Sequence, residues 1–475
     1  MTRRMVCLTA LVLALDAGRS THVAAQGSAS PTRAVAGITP ASIKRHIGVL
    51  ADDSLRGRAT PSTGLEAAAR YVDRRLRAAG LKPVEGPSLL VRWPLVNRRL
   101  VSDSVRLEAR AGGTPSGLRY GSDFAVLPAG DTRFSGEVVR LNGLTDSSAV
   151  HGRIPLVHLP AGNWAVSAHA MMATARRAGA PALLAVADST QDIAAIARSG
   201  ATMDHSANGV PTVLLTDAAA RGVTGQVTLT IPVSTDTVTP PYVVGMLPGG
   251  DPRMRDEYVI ITAHFDHLGV QAPDARGDSI YNGADDNASG VAALLEMAGA
   301  LGRLGQRPRR SVVFFATSGE EIGIRGSEYF TAHPPVPLER IVADINLDGI
   351  GRSWQRDTVS AEGSQLSSLG RTVRAVAAAH PELSLTVVDD QWPDRDYFST
   401  SDQIWFARRG VPSLFLSSTG PDAHYHKPSD EAGTIDGRIT SRIARLAAWL
   451  ALEVANAAEP PRWDEGARRA RQLAP

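Results

Sequence analysis

Along the chain the apolar residues change period twice. From Thr63 the stretch TGLEAAARYVDRRLRAAGLKP places Leu65, Ala69, Val72, Leu76 and Ala79 on one face, which predicts an amphipathic helix with Gly80 as its C-cap. Between about Gly121 and Pro232 short β-like runs take over: EVVRLNG, IPLVHLP, ALLAVAD, TVLLTD and VTLTIPV, with one helical patch, AVSAHAMMATARRAGA. After STDTVTPPYVV the pattern alternates strand, loop and helix. Its strands are EYVIITAH, SVVFFATS, RIVADINLD, SLTVVDD and PSLFLSS; its helices follow NGADDNASG, occupy GSEYFTAH, and close the chain at RITSRIARLAAWLALEVANAA. This alternation predicts a layered α/β domain around a mostly parallel sheet, in which chemistry gathers at the carboxyl ends of the strands.

A chain of 475 residues is too long for one ordinary domain. With 43% apolar and 21% charged residues and a formal charge of +2, its composition is that of a globular protein and points to neither nucleic acid nor acidic membrane as partner. Arg3 and Arg4 precede the apolar run Met5 to Leu15, and small Val23 and Ala25 stand where a signal peptidase cleaves. Residues 1–25 therefore read as a signal peptide, and the mature chain as secreted or periplasmic with no stable membrane anchor, because the apolar run is too short to span a bilayer. Its removal takes Arg3, Arg4, Arg19 and Asp16, which brings the formal charge to zero, and takes Cys7, the sole cysteine. Disulfides and thiol catalysis are thereby excluded from the mature chain. The expected division is a flexible start at 26–40, a first peptidase segment at 41–120, a β-rich insert at 121–232, a catalytic domain at 233–460 and a tail at 461–475.

The candidate chemistry lies in the last large segment. VIITAHFDHLG ends in His264 and Asp266, two residues apart and so on one side of an extended chain. Asp285 and Asp286 lie in NGADDNASG, Glu320 and Glu321 follow VVFFATSG, Asp348 ends IVADINLD, and SLFLSSTGPDAHYHKPSD leads to His424, His426 and Asp430. Singly, each has a plainer explanation: Asp285 as a helix N-cap, Glu320 and Glu321 as an acidic first turn, a lone histidine as structural. Together, two histidines and three carboxylates make the ligand set of a two-metal site, where a bridging carboxylate offsets the repulsion of two cations. Asp285 suits the bridge, with Asp286 bracing the loop.

In order along the chain, AHFDHLG, NGADDNASG, SGEEIGIRGS, INLDGIG and HYHKPSDE resemble the co-catalytic zinc exopeptidases, a family that includes secreted bacterial leucine aminopeptidases and glutamate carboxypeptidases. LADDSLRGRATPSTGLEAAARYVDRRLRAAGLKP resembles the family's opening helix. The resemblance implies a three-layer α/β/α domain with a mixed, mostly parallel sheet. It implies two zinc ions per chain: His264 and Asp348 on one, Glu321 and His426 on the other, and Asp285 as the bridge, followed by a cis peptide to Asp286. Glu320 becomes the general base acting on a metal-bound hydroxide, and Asp266 the carboxylate that orients His264. His267 and His424 match no ligand position, and Gln403 stands where many relatives have His, a departure that bears on the substrate pocket. The 121–232 region resembles a protease-associated domain through VHGRIPLVHLP, ARRAGAPALLAVAD and NGVPTVLLTD.

These implications converge on a secreted metallo-aminopeptidase acting on peptides with a free N-terminus. The aromatic residues Trp392, Tyr397, Phe398, Trp405 and Phe406 would line its pocket. A carboxypeptidase or dipeptidase on the same scaffold is the alternative, with Arg352, Arg395 or Arg408 as carboxylate receptors. A non-catalytic binding protein is disfavoured because no ligand is degraded.

Overall fold

The structure, a computed structural model, describes residues 29–111, 114–127, 130–144, 150–159, 171–172, 174–188, 191–200, 210–390, 396–420 and 422–467. The expected signal peptide, residues 165–170 and 173 of the helical patch, Trp392 and Arg395 lie outside the described residues.

Apolar runs bounded by turn residues form the strands of a nine-stranded sheet. Its centre runs Pro241–Leu247, Ser311–Thr317, Tyr258–His264, Ile341–Leu347, Ser413–Ser417, with Thr358–Glu362 and Thr386–Val388 beyond. The four strands from Ser311–Thr317 to Ser413–Ser417 are parallel, whereas Pro241–Leu247 and Thr358–Glu362 pair antiparallel. The sheet is mixed, as expected, and Thr358–Glu362 is a strand the hydrophobic pattern did not announce. Every residue of Ser311–Thr317 and of Ile341–Leu347 is buried, the signature of strands covered on both faces.

Side chains alternate between the two faces of the sheet. Val259, Ile261 and Ala263 enter one core with the helices Pro40–Leu50, Thr63–Ala78, Gly290–Gly302 and Gly437–Asn456, while Ile260 enters another with Phe315, Phe330 and Phe406. Thr63–Ala78 buries Leu65, Ala69, Val72 and Leu76 on the predicted face, and the Ser62 hydroxyl caps its N-terminus. Each such large apolar side chain contributes about 1.5–3 kcal/mol on burial.

A second, eight-stranded sheet lies in the sequence between Leu95–Leu100 and Val233–Val238, which pair antiparallel with each other. It starts earlier than the boundary at 121. Arg106–Ala111 and Thr114–Leu118 belong to it, and Leu107 and Ala109 pack in its core with Val227 and Leu229. Among the described residues, no helix is long and apolar enough to cross a membrane.

Candidate metal centre

Parallel strands deliver their carboxyl ends to one edge of the sheet, and the candidate residues sit there. His264 closes its strand, Asp348 follows Ile341–Leu347, and Glu320 and Glu321 stand just past Ser311–Thr317. His264 Nε2 lies 3.3 Å from Asp286 Oδ1 and 3.4 Å from Asp348 Oδ1. His426 Nε2 lies 3.1 Å from Asp286 Oδ2 and 3.3 Å from Glu321 Oε2. Glu320 Oε2 is 4.0 Å from His264 Nε2. Asp286 thus offers one oxygen to each of two groups.

The two aspartates exchange the places expected of them. Asp285 turns away: its carboxylate accepts from the Gly351 N–H and the Thr419 hydroxyl, and Arg352 Nη2 is 3.5 Å away. Adjacent side chains diverge, and the path of the loop decides which faces the histidines. Asp430 sets that path by accepting from the backbone N–H of both Asp285 and Asp286, at 3.0–3.1 Å, while Arg352 Nη1 donates to it at 2.7 Å. Asn287 donates to the Leu347 carbonyl at 2.8 Å and caps the Gly290 N–H at 2.9 Å. The cis peptide is correspondingly one residue later than expected, between Asp286 and Asn287.

Asp266 stands beside His264, and its carboxylate serves a second turn as well. His264 Nδ1 is 3.2 Å from the Asp266 carbonyl and 3.7 Å from its carboxylate. That carboxylate accepts from Thr60 Oγ1 at 2.9 Å, the Gly319 N–H at 2.8 Å and the Glu320 N–H at 3.4 Å. Its firmest holds are on the turn that presents Glu320 and Glu321.

His267 is a residue the sequence reading left aside. Its ring is fully buried, with Nδ1 2.5 Å from Glu321 Oε1 and 3.8 Å from Asp286 Oδ2. Gly283, at φ +57°, makes room for it: a Cβ there would stand 2.4 Å from the ring. The spacing His-x-Asp-His was the available signal. His424 lies apart, bonded to Ser429. Gln403 is no pocket residue; it is buried, donating to the Phe398 carbonyl and accepting from Asn346.

Arg58, within the opening motif, is wholly enclosed beneath the cluster. Its guanidinium donates to the carbonyls of Leu50, Phe265, Asn282 and Gly283. It therefore ties the loop after His264 to the loop before Asp286.

Electrostatics follow from this crowding. Burial opposes ionisation of Asp286, yet His267, His264 and His426 outweigh it and hold the carboxyl well below the usual range. Burial and neighbouring Glu321 and Asp348 push Glu320 well up, against the opposing pull of His264. Burial raises Asp285 to about 7 despite Arg352. Against burial, Glu321 and Asp286 raise His426 to about 11.

His264 Nε2, His267 Nδ1 and Nε2, Glu321 Oε1 and His426 Nε2 are buried, and although carboxylate oxygens or imidazole nitrogens lie close to most of them, none makes a hydrogen bond of normal geometry. Such a convergence of orphaned polar atoms is rare in a settled core and fits a cation site. The donor groups close enough to share an ion are His264, Asp286 and Asp348, and His267, Asp286 and Glu321.

A cavity of about 560 Å³ opens onto Asp286, Glu320 and Asp348, with Tyr397, Phe415 and Tyr425 in its wall. Of the described aromatic residues expected there, only Tyr397 lines it. Phe398 and Phe406 are buried in apolar cores, and Trp405 packs beside Phe398 with Arg408 over its ring. Arg352 reaches the cavity with its guanidinium engaged by Asp422 and Asp430.

Residues 242–451 match the sequence profile of peptidase family M28. Aminopeptidase YwaD of Bacillus subtilis is 27% identical over 186 residues, 37% of this chain and 36% of that protein. A vacuolar membrane protease of Phaeosphaeria nodorum is 24% identical over 38% of this chain and 17% of its own length. The matched stretch thus spans about a third or less of these relatives. Among solved structures, an aminopeptidase from Aneurinibacillus sp. strain AM-1 superposes with a TM-score of 0.62, 18% identity, and 92% of this chain and 97% of that one covered. A zinc aminopeptidase from Bacillus subtilis gives 0.57 and 19%, with 88% and 95% covered. At these identities the structures share the fold. Residues 242–451, which carry every side chain of the cluster, are thus similar in sequence to peptidase family M28.

Proposed function

We propose that the protein is a secreted dizinc aminopeptidase that removes residues from the free amino end of peptides. The carrying observation is the placement of Asp286, with one oxygen near His264 and Asp348 and the other near His426 and Glu321. In this reading His264 and Asp348 hold one zinc, Glu321 and His426 the other, and Asp286 rather than Asp285 bridges them, while His267 steadies Glu321. Zinc at such a site supplies Lewis-acid polarisation of the scissile carbonyl and acidifies water. Glu320, in the cavity wall with its proton affinity raised by burial, takes the proton of the attacking water and returns it to the leaving amine.

The cavity wall carries more acidic than basic side chains, which suits a substrate ammonium better than a carboxylate. The carboxypeptidase reading would use Arg352, whose donors are already committed to two carboxylates. The second sheet unit reads as a protease-associated insert: β-rich, inserted in sequence, and contributing none of the proposed ligands.

The test compares leucyl p-nitroanilide with its N-acetylated form, and a dipeptide with its C-terminal amide. Acetylation is expected to abolish hydrolysis and amidation to spare it. The reverse pattern would make the enzyme a carboxypeptidase.

A further inference from the structure

Behind the cluster, within the sheet, runs a second polar chain that the proposed reaction does not use. Thr262, Asp344, Asn346 and Gln403 are fully buried, and Ser401 nearly so. Thr262 stands opposite Asn346 in the parallel register, and Asp344 is two residues back on the same face. The Thr262 hydroxyl lies 3.0 Å from Asp344 Oδ1 and 2.9 Å from Asn346 Oδ1. Asn346 Nδ2 donates to Ser401 Oγ and to Gln403 Oε1, both at 2.9 Å, and Ser401 donates to Asp348 Oδ2 at 2.8 Å.

Counting hydrogens fixes the direction of every bond. Gln403 spends its Nε2–H on the Phe398 carbonyl at 2.6 Å, so its Oε1 is an acceptor. Ser401 gives its single hydrogen to the Asp348 carboxylate and therefore accepts from Asn346. With both neighbours of Asn346 Nδ2 accepting, Asn346 Oδ1 is the side that needs a donor, and the Thr262 hydroxyl supplies it. A hydroxyl has one hydrogen. The remaining 3.0 Å contact, between Thr262 and Asp344, then has no hydrogen unless Asp344 brings one.

We infer that Asp344 is held as a neutral carboxylic acid whose proton directs a hydrogen-bond chain, Asp344 to Thr262 to Asn346 to Ser401 to Asp348, that positions the metal-facing carboxylate. The inference rests on the reading of Asp348 as a zinc ligand. An ionised Asp344 would draw the Thr262 hydrogen to itself and leave Asn346 Oδ1 without a donor. The surroundings agree: Asp344 Oδ2 has no partner, burial raises its proton affinity, and the nearby charge of Asp402 acts in the same direction. At the far end the chain divides the oxygens of Asp348. Oδ2 is held by Ser401, and Oδ1 faces His264 Nε2 at 3.4 Å.

The test uses the full mature chain loaded with zinc. Infrared spectra should contain the carbonyl stretch of a protonated carboxylic acid at neutral pH, shifted in heavy water and missing from Asp344→Asn. Because an amide can donate to Thr262 without charge, Asp344→Asn should keep zinc affinity and kcat within about threefold, whereas Ser401→Ala and Thr262→Val should weaken zinc, measured by chelator competition, by about 10–100-fold. Absence of the band overturns the inference, as does an Asp344→Asn variant that loses zinc as readily as Ser401→Ala. Zinc affinity unchanged in Ser401→Ala overturns the positioning role. A wild-type chain that shows the band and binds no zinc removes that role together with the reading of Asp348, and leaves the protonated acid standing.

Discussion

Arg58→Met removes a cation enclosed beneath the cluster while keeping much of the side chain's volume. Three carbonyls, those of Leu50, Phe265 and Asn282, lose the donor that the guanidinium supplies, while that of Gly283 keeps the Ala288 N–H at 3.2 Å. At about 1–3 kcal/mol for each buried polar group left unsatisfied, the loss is roughly 3–9 kcal/mol. Part is recovered. Burial lowers the Arg58 pKa to about 10 from the usual arginine value, against the attraction of Asp266, Asp430, Asp286 and Glu321. Relief from holding that charge returns about 3 kcal/mol. The net destabilisation is then roughly 3 kcal/mol at the middle of that range, which lowers Tm on the order of 10 °C in a domain of this size. Urea unfolding of the metal-free chain measures it, and zinc content should fall as well, because two of the carbonyls flank His264 and Asp286. A loss under about 1 kcal/mol with full zinc content would refute the argument, since the three carbonyls would then have found other donors.

Asp286→Asn should empty both metal positions, while Asp285→Asn, whose carboxyl faces Arg352 and Thr419, should retain zinc; elemental analysis of the two purified variants separates these outcomes. Glu320→Gln should keep about two zincs per chain and lose roughly 10²–10⁴-fold in kcat, because the amide preserves shape and accepts no proton. Near-normal turnover with zinc retained would place the base elsewhere. Asp344 gives a pH signature with a defined sign. Its folded-state pKa is raised well above the ordinary value, so the folded chain keeps a proton that the unfolded chain releases. The stability it confers is complete below the unfolded carboxyl pKa of about 3.9 and is lost as pH rises through the folded value, at up to about 1.4 kcal/mol per pH unit. Asp344→Asn should flatten that slope in pH-dependent urea unfolding.

Much of the architecture follows from the linear order of residues. Apolar runs such as VVFFA, within Ser311–Thr317, are satisfied between two covering layers, and they are buried there. The ligand residue types at successive strand ends are equally local features, because a parallel sheet brings every such end to one edge. What the linear order left open was direction. Which of Asp285 and Asp286 faces the histidines depends on Asp430, some 145 positions away, capping both backbone N–H groups. The places of His267 and Gln403, and the enclosure of Arg58 by four distant carbonyls, depend on contacts of the same kind. The short strand Thr358–Glu362 acquires its identity from pairing with Ser413–Ser417 more than from its own polar composition. Periodicity reports the face a residue takes relative to its own element. The orientation of one carboxylate among several is a property of the hydrogen bonds that close around it, and those exist only once the chain is folded.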